Sequence, residues 1–163
     1  MGRFIFLSSG LLVVFLSLSG TGADEGCSSD WSSYNGYCYK VVKEKKNWKD
    51  AESFCRQQEE GGHLASILNM EESAFVAGLV SDNVGPEINM WIGMSKPEGT
   101  GNWQWSDGSI VRYKSWNRRE PINFLKFVIW SCIAVQFTSS SKNLVWINQP
   151  CRFPCYFICK FQP

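Results

Sequence analysis

NWKDAESFC, running from Asn47 to Cys55, is the stretch on which the reading of the fold turns. Asn47 can cap a helix, and Asp50 stands three residues on, where a capping partner belongs. Trp48, Ala51, Phe54 and Cys55 fall on one face at helical spacing, so the pattern predicts a helix through NWKDAESFCRQQEE. Upstream, YNGYCYKVV is aromatic and β-branched and reads as a strand after a turn at Asn35-Gly36. Downstream, NMEESAFVAGLVSD predicts a second helix. Asn69 is its cap, Glu72 the third helical position, and Met70, Ala74, Ala77 and Val80 an apolar face. Further on the texture changes to short strand-like runs: MWIGMS, NWQW, SCIAVQF, LVWIN and YFICKF. Two early helices followed by several strands predict an α+β domain. From Pro97 to Leu125 the chain reads as irregular, and irregular stretches of that length inside a compact domain are functional or pinned by something else.

The chain has 163 residues, which suits one domain. Residues 1–23 read as a secretory signal peptide. Arg3 is a short basic start, FIFLSSGLLVVFLSLSG is apolar and small, and Thr21 and Ala23 provide small residues before a cleavage point. Residues 24–163 then form the mature domain. The formal net charge of +1 falls to about zero once Arg3 is set aside, which asks for neither nucleic acid nor an anionic membrane. No second apolar span follows, so membrane insertion is not expected. KEKK, Lys43 to Lys46, reads as a solvated loop or a partner contact. All seven cysteines lie beyond the signal, so they read as a disulfide framework with one left over. A zinc site is not expected, because His63 is the only histidine and no second close Cys or His pair accompanies the cysteines. There is no Asn-x-Ser/Thr acceptor for N-glycosylation.

Taken in order, DWSSYNGYCYK, NWKDAESFC, GGHLASI, MEESAFVAGL, WIGM, NWQWSDGS and FICKF resemble the C-type lectin-like domain. More closely they are similar to the snake venom C-type lectin-like proteins, or snaclecs, over almost the whole chain. The resemblance implies two helices packed on small antiparallel sheets, a long irregular loop region and disulfide staples. It implies the pairs Cys27–Cys38, Cys55–Cys159 and Cys132–Cys151. The second would close a loop of about 105 residues, contributing on the order of 4–5 kcal/mol by restricting the unfolded chain. Cys155 is left over. It is a buried free thiol, an intermolecular disulfide, or an alternative partner for Cys132.

In sugar-binding members of the family, one calcium is held by oxygens at five positions. These match Glu120, Ile122 and Trp130 in one segment and Ile147 and Asn148 in the other. Only Glu120 keeps a carboxylate, while calcium needs about six to eight oxygen ligands. A second, structural calcium of some venom members matches Ser66, Leu68, Glu72 and Lys160. Leu68 offers no side-chain oxygen, and an ammonium at Lys160 repels the ion and can pair with Glu72. Both sites therefore read as degraded, with no cofactor expected. The resemblance also implies a dimer by loop exchange with a related or identical chain. The cysteine that commonly locks such dimers would stand at Gly101. Trp116, Phe124, Phe127 and Trp130 are candidate interface residues, whereas Trp91, Trp103 and Trp105 read as core.

The function implied is that of a secreted venom toxin subunit. It would bind a haemostatic protein, a platelet receptor or coagulation factor, by calcium-independent contact and so interfere with haemostasis. The alternative is a calcium-dependent sugar-binding lectin, which Ile122, Trp130 and Ile147 disfavour. An enzyme is not expected. Ser66 lies three residues from His63, but no acidic residue stands in an obvious orienting position.

Overall fold

The computed structural model describes residues 26–97, 101–116, 131–138 and 143–163. The signal-peptide reading and the positions Glu120, Ile122, Phe124, Phe127 and Trp130 lie outside them.

The chain opens with a hairpin, β1 (Ser32–Tyr34) and β2 (Tyr37–Lys46). Asn35 and Gly36 join them, both at positive φ, which is what a two-residue type I′ turn requires. α1 (Trp48–Gln58) follows at once. Asn47 Oδ1 accepts the Asp50 N–H at 2.9 Å, which is a helix N-cap. Its buried residues are Trp48, Ala51 and Cys55, with Phe54 half-buried on the same side. After the two-residue β3 (His63–Leu64) comes α2 (Met70–Asn83), capped by Asn69 through the Glu72 N–H at 2.8 Å. The strands β4 (Asn89–Lys96), β5 (Gln104–Trp105), β6 (Ser131–Thr138), β7 (Asn143–Pro150) and β8 (Cys155–Phe161) complete the described chain.

Two expectations need correction. The strands join in one mixed sheet rather than several small antiparallel ones, in the order β1-β2-β8-β4-β6-β7, with β3 on β8 and β5 on β4. The cause is the C-terminal strand. β8 inserts between β2 and β4, antiparallel to the first and parallel to the second, and so fuses the two halves. The second correction concerns α2. Its buried face is Glu72, Ser73, Val76, Ala77 and Val80, while Met70 is 68% exposed and Ala74 is exposed. Only Ala77 and Val80 of the expected face point inward. The helix is rotated so that the Glu72 carboxylate, rather than Met70, faces the sheet.

The two helices cover opposite faces. Along β2, Tyr39 and Val41 belong to the cluster under α2, while Cys38 and Val42 belong to the cluster against α1. Along β8, Ile158 faces the first, and Phe157, Cys159 and Phe161 the second. This is the period-two alternation of a strand buried on both sides. Tryptophans lock the α1 layer: Trp48 Nε1 donates to Ile92 O at 2.8 Å and Trp91 Nε1 to Lys46 O at 3.0 Å. Trp91 and Trp105 are fully or almost fully buried, and Trp103 packs half-buried against the core. Disulfides join Cys27 to Cys38, Cys55 to Cys159 and Cys132 to Cys151. The second bolts α1 to β8, the strand that holds the sheet together.

Two glycines make opposite predictions. A Cβ on Gly93, in the middle of β4, would stand 2.6 Å from Leu64 O and 2.8 Å from Ser106 Oγ. Gly78, exposed in α2, has nothing within 4 Å of such an atom. Gly93→Ala should therefore cost about 1–3 kcal/mol in urea unfolding. Gly78→Ala should add about 0.5–1 kcal/mol, the ordinary difference between glycine and alanine in a helix.

Candidate functional site

The capped start of α2, the end of β8 and the start of β2 meet around one buried ammonium. Lys160 follows Ile158 on the α2 face of β8, so alternation places its side chain in the core. Its Nζ donates to Glu72 Oε1 at 2.6 Å, to Ser66 O at 3.1 Å and to Ser66 Oγ at 3.2 Å. The two side chains are 4% and 6% exposed. The same Glu72 oxygen accepts the Tyr39 hydroxyl at 2.5 Å, and the other accepts the Leu68 N–H at 2.7 Å. The ammonium also lies 4.3 Å from the centre of the Tyr37 ring, within cation–π reach. Ser66 Oγ in turn donates to Asp107 at 2.5 Å. All three ammonium protons have an acceptor, and both carboxylate oxygens are occupied. Burial, with the Glu72 carboxylate beside it, pushes the Tyr39 phenol far above its usual range, so it remains a donor.

These residues do not fit a divalent cation. The centre of the cage already holds a positive charge, covalently tethered to β8, and Leu68 contributes only a main-chain N–H, which a metal ion cannot use. On the long-loop side, Ile147 is half-buried against the α1-side cluster. The side-chain oxygen of Asn148 is buried without a hydrogen-bond partner. Among the described residues, no group of three His, Cys, Asp or Glu stands close enough to hold a metal.

Trp116 is not a free aromatic ledge. It packs 5.5 Å from Trp103 and edge-on to Trp146 at 5.7 Å, and its backbone bridges to Trp146. His63 has an orienting carboxylate after all. Glu52, one helical turn before Cys55 on α1, approaches its Nδ1 at 2.6 Å and accepts the Leu64 N–H at 2.9 Å. Ser66 is bonded to Asp107 and Lys160 instead of His63, so no nucleophile meets that histidine through it. Tyr39 and Asp107 are cage members that the sequence does not single out. For Tyr39 the signal is present, since alternation in YCYKVV puts it on the face of Val41. Asp107 comes from a segment 41 residues beyond Ser66, and nothing local announces that contact.

Cys155 begins β8 and is a free thiol, 6% exposed. The next residue, Tyr156, pairs with Met90 on β4, whereas Cys132 pairs with Ser95 farther up the same strand. Cys132 is bonded to Cys151, which leaves Cys155 as the free thiol. A bond to a second chain would require this buried thiol to become more accessible.

Two outcomes are expected. Lys160→Met leaves the Glu72 charge buried and uncompensated, and should cost about 3–5 kcal/mol in urea unfolding. Adding Glu72→Gln should recover a large part, because the amide oxygen can still accept from Leu68 without carrying charge. Burial pushes the Cys155 thiol up to about 11. At pH 8 it should react with iodoacetamide about two orders of magnitude more slowly than a free cysteine, until the protein is unfolded.

A lectin C-type domain model matches residues 44–161. The C-type lectin lectoxin-Lio1 of Erythrolamprus poecilogyrus is 53% identical over 163 residues, covering 100% of this chain and 96% of the lectoxin. A subunit of the snaclec coagulation factor IX/factor X-binding protein of Gloydius halys is 48% identical over 162 residues, covering 99% of each chain. Among solved structures, human lithostathine superposes with a TM-score of 0.74 at 34% identity, covering 84% of this chain and 100% of that one. EMS16, an antagonist of the collagen receptor integrin α2β1, superposes at 0.62 and 36% identity, with the same coverage. With the caps, the central β8 and all three disulfides already in place, these likenesses put the chain in the C-type lectin domain family, among the snake C-type lectin-like proteins known as snaclecs.

Proposed function

We propose that this chain is a secreted toxin subunit that pairs with a related chain and binds a haemostatic protein without calcium and without catalysis. The observation that carries the reading is end-to-end likeness to a subunit of a coagulation factor IX/factor X-binding protein, with EMS16 as a structural relative. Secretion is supported by the signal-like residues 1–23 and by three disulfides, which persist in oxidising compartments. Among the described residues, no helix is long and apolar enough to cross a membrane.

Calcium independence is supported by the cage around Lys160. A fixed ammonium links Ser66 to Glu72, so the α2 end of the molecule is tied down without an ion. Pairing by loop exchange is proposed from the family likeness. The exposed Gly101 has no thiol for the usual covalent lock, and Cys155 is buried, so association in this reading is non-covalent. Recognition is then steric, carried by surface loops on a rigid sheet.

Two measurements test this. Thermal unfolding of the mature chain should give the same midpoint in EDTA and in millimolar calcium. A ligand hundredfold above its Kd adds about 2.7 kcal/mol, so a rise of several degrees with calcium would sink the calcium-free reading. Immobilised factor IX, factor X and platelet receptor ectodomains should then be screened for binding, beside a galactose or mannose column. Retention on a sugar column in calcium, eluted by EDTA, with no protein bound, would establish the lectin alternative instead.

A further inference from the structure

The segment 110–116 is a rib laid along β7. Its residues alternate as a strand does: Ile110, Arg112 and Lys114 are exposed, while Val111, Tyr113 and Ser115 are half-buried. The inner row is anchored. Ser115 O accepts the Trp146 N–H at 2.9 Å, and Ser115 Oγ donates to Leu144 O at 3.2 Å. Tyr113 stands edge-on to Trp146 at 5.8 Å, and Val111 packs on the core beneath α2. The outer row is therefore held in place by an inner row that it does not itself stabilise.

Among the described residues, neither Arg112 nor Lys114 forms an ion pair. Sequence residues 108–119 contain four cations and no Asp or Glu, in a chain whose net charge is only +1. The nearest preceding carboxylate, Asp107, is engaged by the Ser66 hydroxyl and the Ser109 N–H. Ile110 is 67% exposed, one of three exposed large apolar side chains among the described residues. Two unpaired cations about 6.6 Å apart, in line with an exposed aliphatic side chain on a fixed backbone, make a ready-ordered contact row.

We infer that the outward row Ile110–Arg112–Lys114 docks an extended acidic segment of a partner protein, with carboxylates at alternate positions and an apolar side chain beside them. It rests on the reading that the chain acts by protein–protein contact, and it adds the surface and the chemistry of the segment recognised. Alternate residues of an extended peptide recur at the same spacing as Arg112 and Lys114, so two carboxylates can meet two cations in register. Ile110 favours a peptide over a sulfated polysaccharide, which has no apolar side chain to offer it. The near-zero net charge means that no long-range field gathers polyanions indiscriminately.

The test uses the full mature chain and a fluorescent twelve-residue peptide alternating Glu with Thr, carrying one Leu, beside its Gln-for-Glu counterpart. Only the acidic peptide should bind, more weakly as salt rises. Arg112→Glu with Lys114→Glu should weaken it about tenfold, from two lost attractions and two new repulsions. Lys43→Glu with Lys49→Glu, the same charge change on β2 and α1, should leave it unchanged. Equal loss in both pairs, equal binding of the Gln peptide, or binding of heparin but not the peptide would each overturn the inference. Circular dichroism confirms that each variant is folded. If a haemostatic target binds wild type and the Arg112/Lys114 variant equally, the row is not the contact, although the proposed function stands. If no such target binds but the acidic peptide binds as described, the row stands and the haemostatic reading falls.

Discussion

The contact between Lys160 and Glu72 is the constraint around which the α2 half of the molecule is arranged. It joins the last strand, the first turn of α2, the segment after β3 and, through Tyr39, the second strand. A buried ion pair is poor evidence of net stability, because desolvating two charges opposes their attraction. Its value here is positional. Glu72 can be satisfied only if α2 starts at Met70 and turns its third residue inward, and Lys160 only if β8 carries its even-numbered residues on that face. An error of one residue in either element would strand a charge in the core.

Around that joint the fold separates scaffold from surface. β8 lies between β2 and β4, bonded to both, and Cys55–Cys159 fixes it to α1 on the opposite face. The strand most central to the sheet is thus secured from both sides, by an ion pair towards α2 and a covalent bond towards α1. The rib at 110–116 shows how an irregular segment is held: two backbone-directed bonds and an aromatic cluster on Trp146 order it without placing its outer side chains in the core. Ordered, uncommitted side chains on a stiff base suit recognition, since little conformational freedom is lost on contact.

Local chemistry makes part of this legible. Asn47 and Asn69 cap because a short side-chain oxygen reaches the third helical N–H, and that requirement is written within four residues. The Asn35-Gly36 turn is equally local, because both positions must take positive φ. Periodicity misplaces the face of α2 for a physical reason. Met70 and Ala74 are more apolar than Glu72 and Ser73, and periodicity weighs only polarity; it cannot see that Glu72 has a tethered cation, Lys160, to meet on the inward face. The Glu52–His63 contact is invisible in the sequence because its two residues lie on different elements and gain their geometry from packing.

What the sequence alone determined, then, is whatever depends on neighbours in the chain: two capped helices, the hairpin turn, the strand-like runs and the number of cysteines. It also showed which oxygen donors are lacking at Leu68 and Ile147, since residue identity needs no fold to be read. Only the tertiary structure decided that the strands form one mixed sheet, that Asp107 and Tyr39 complete the cage, that Cys155 is buried, and that Arg112 and Lys114 stand on an anchored rib with no ion-pair partner among the described residues. Each of these depends on contacts between residues tens of positions apart. Such contacts arise only when β8 closes the sheet and burial forces every inward polar group to find a partner.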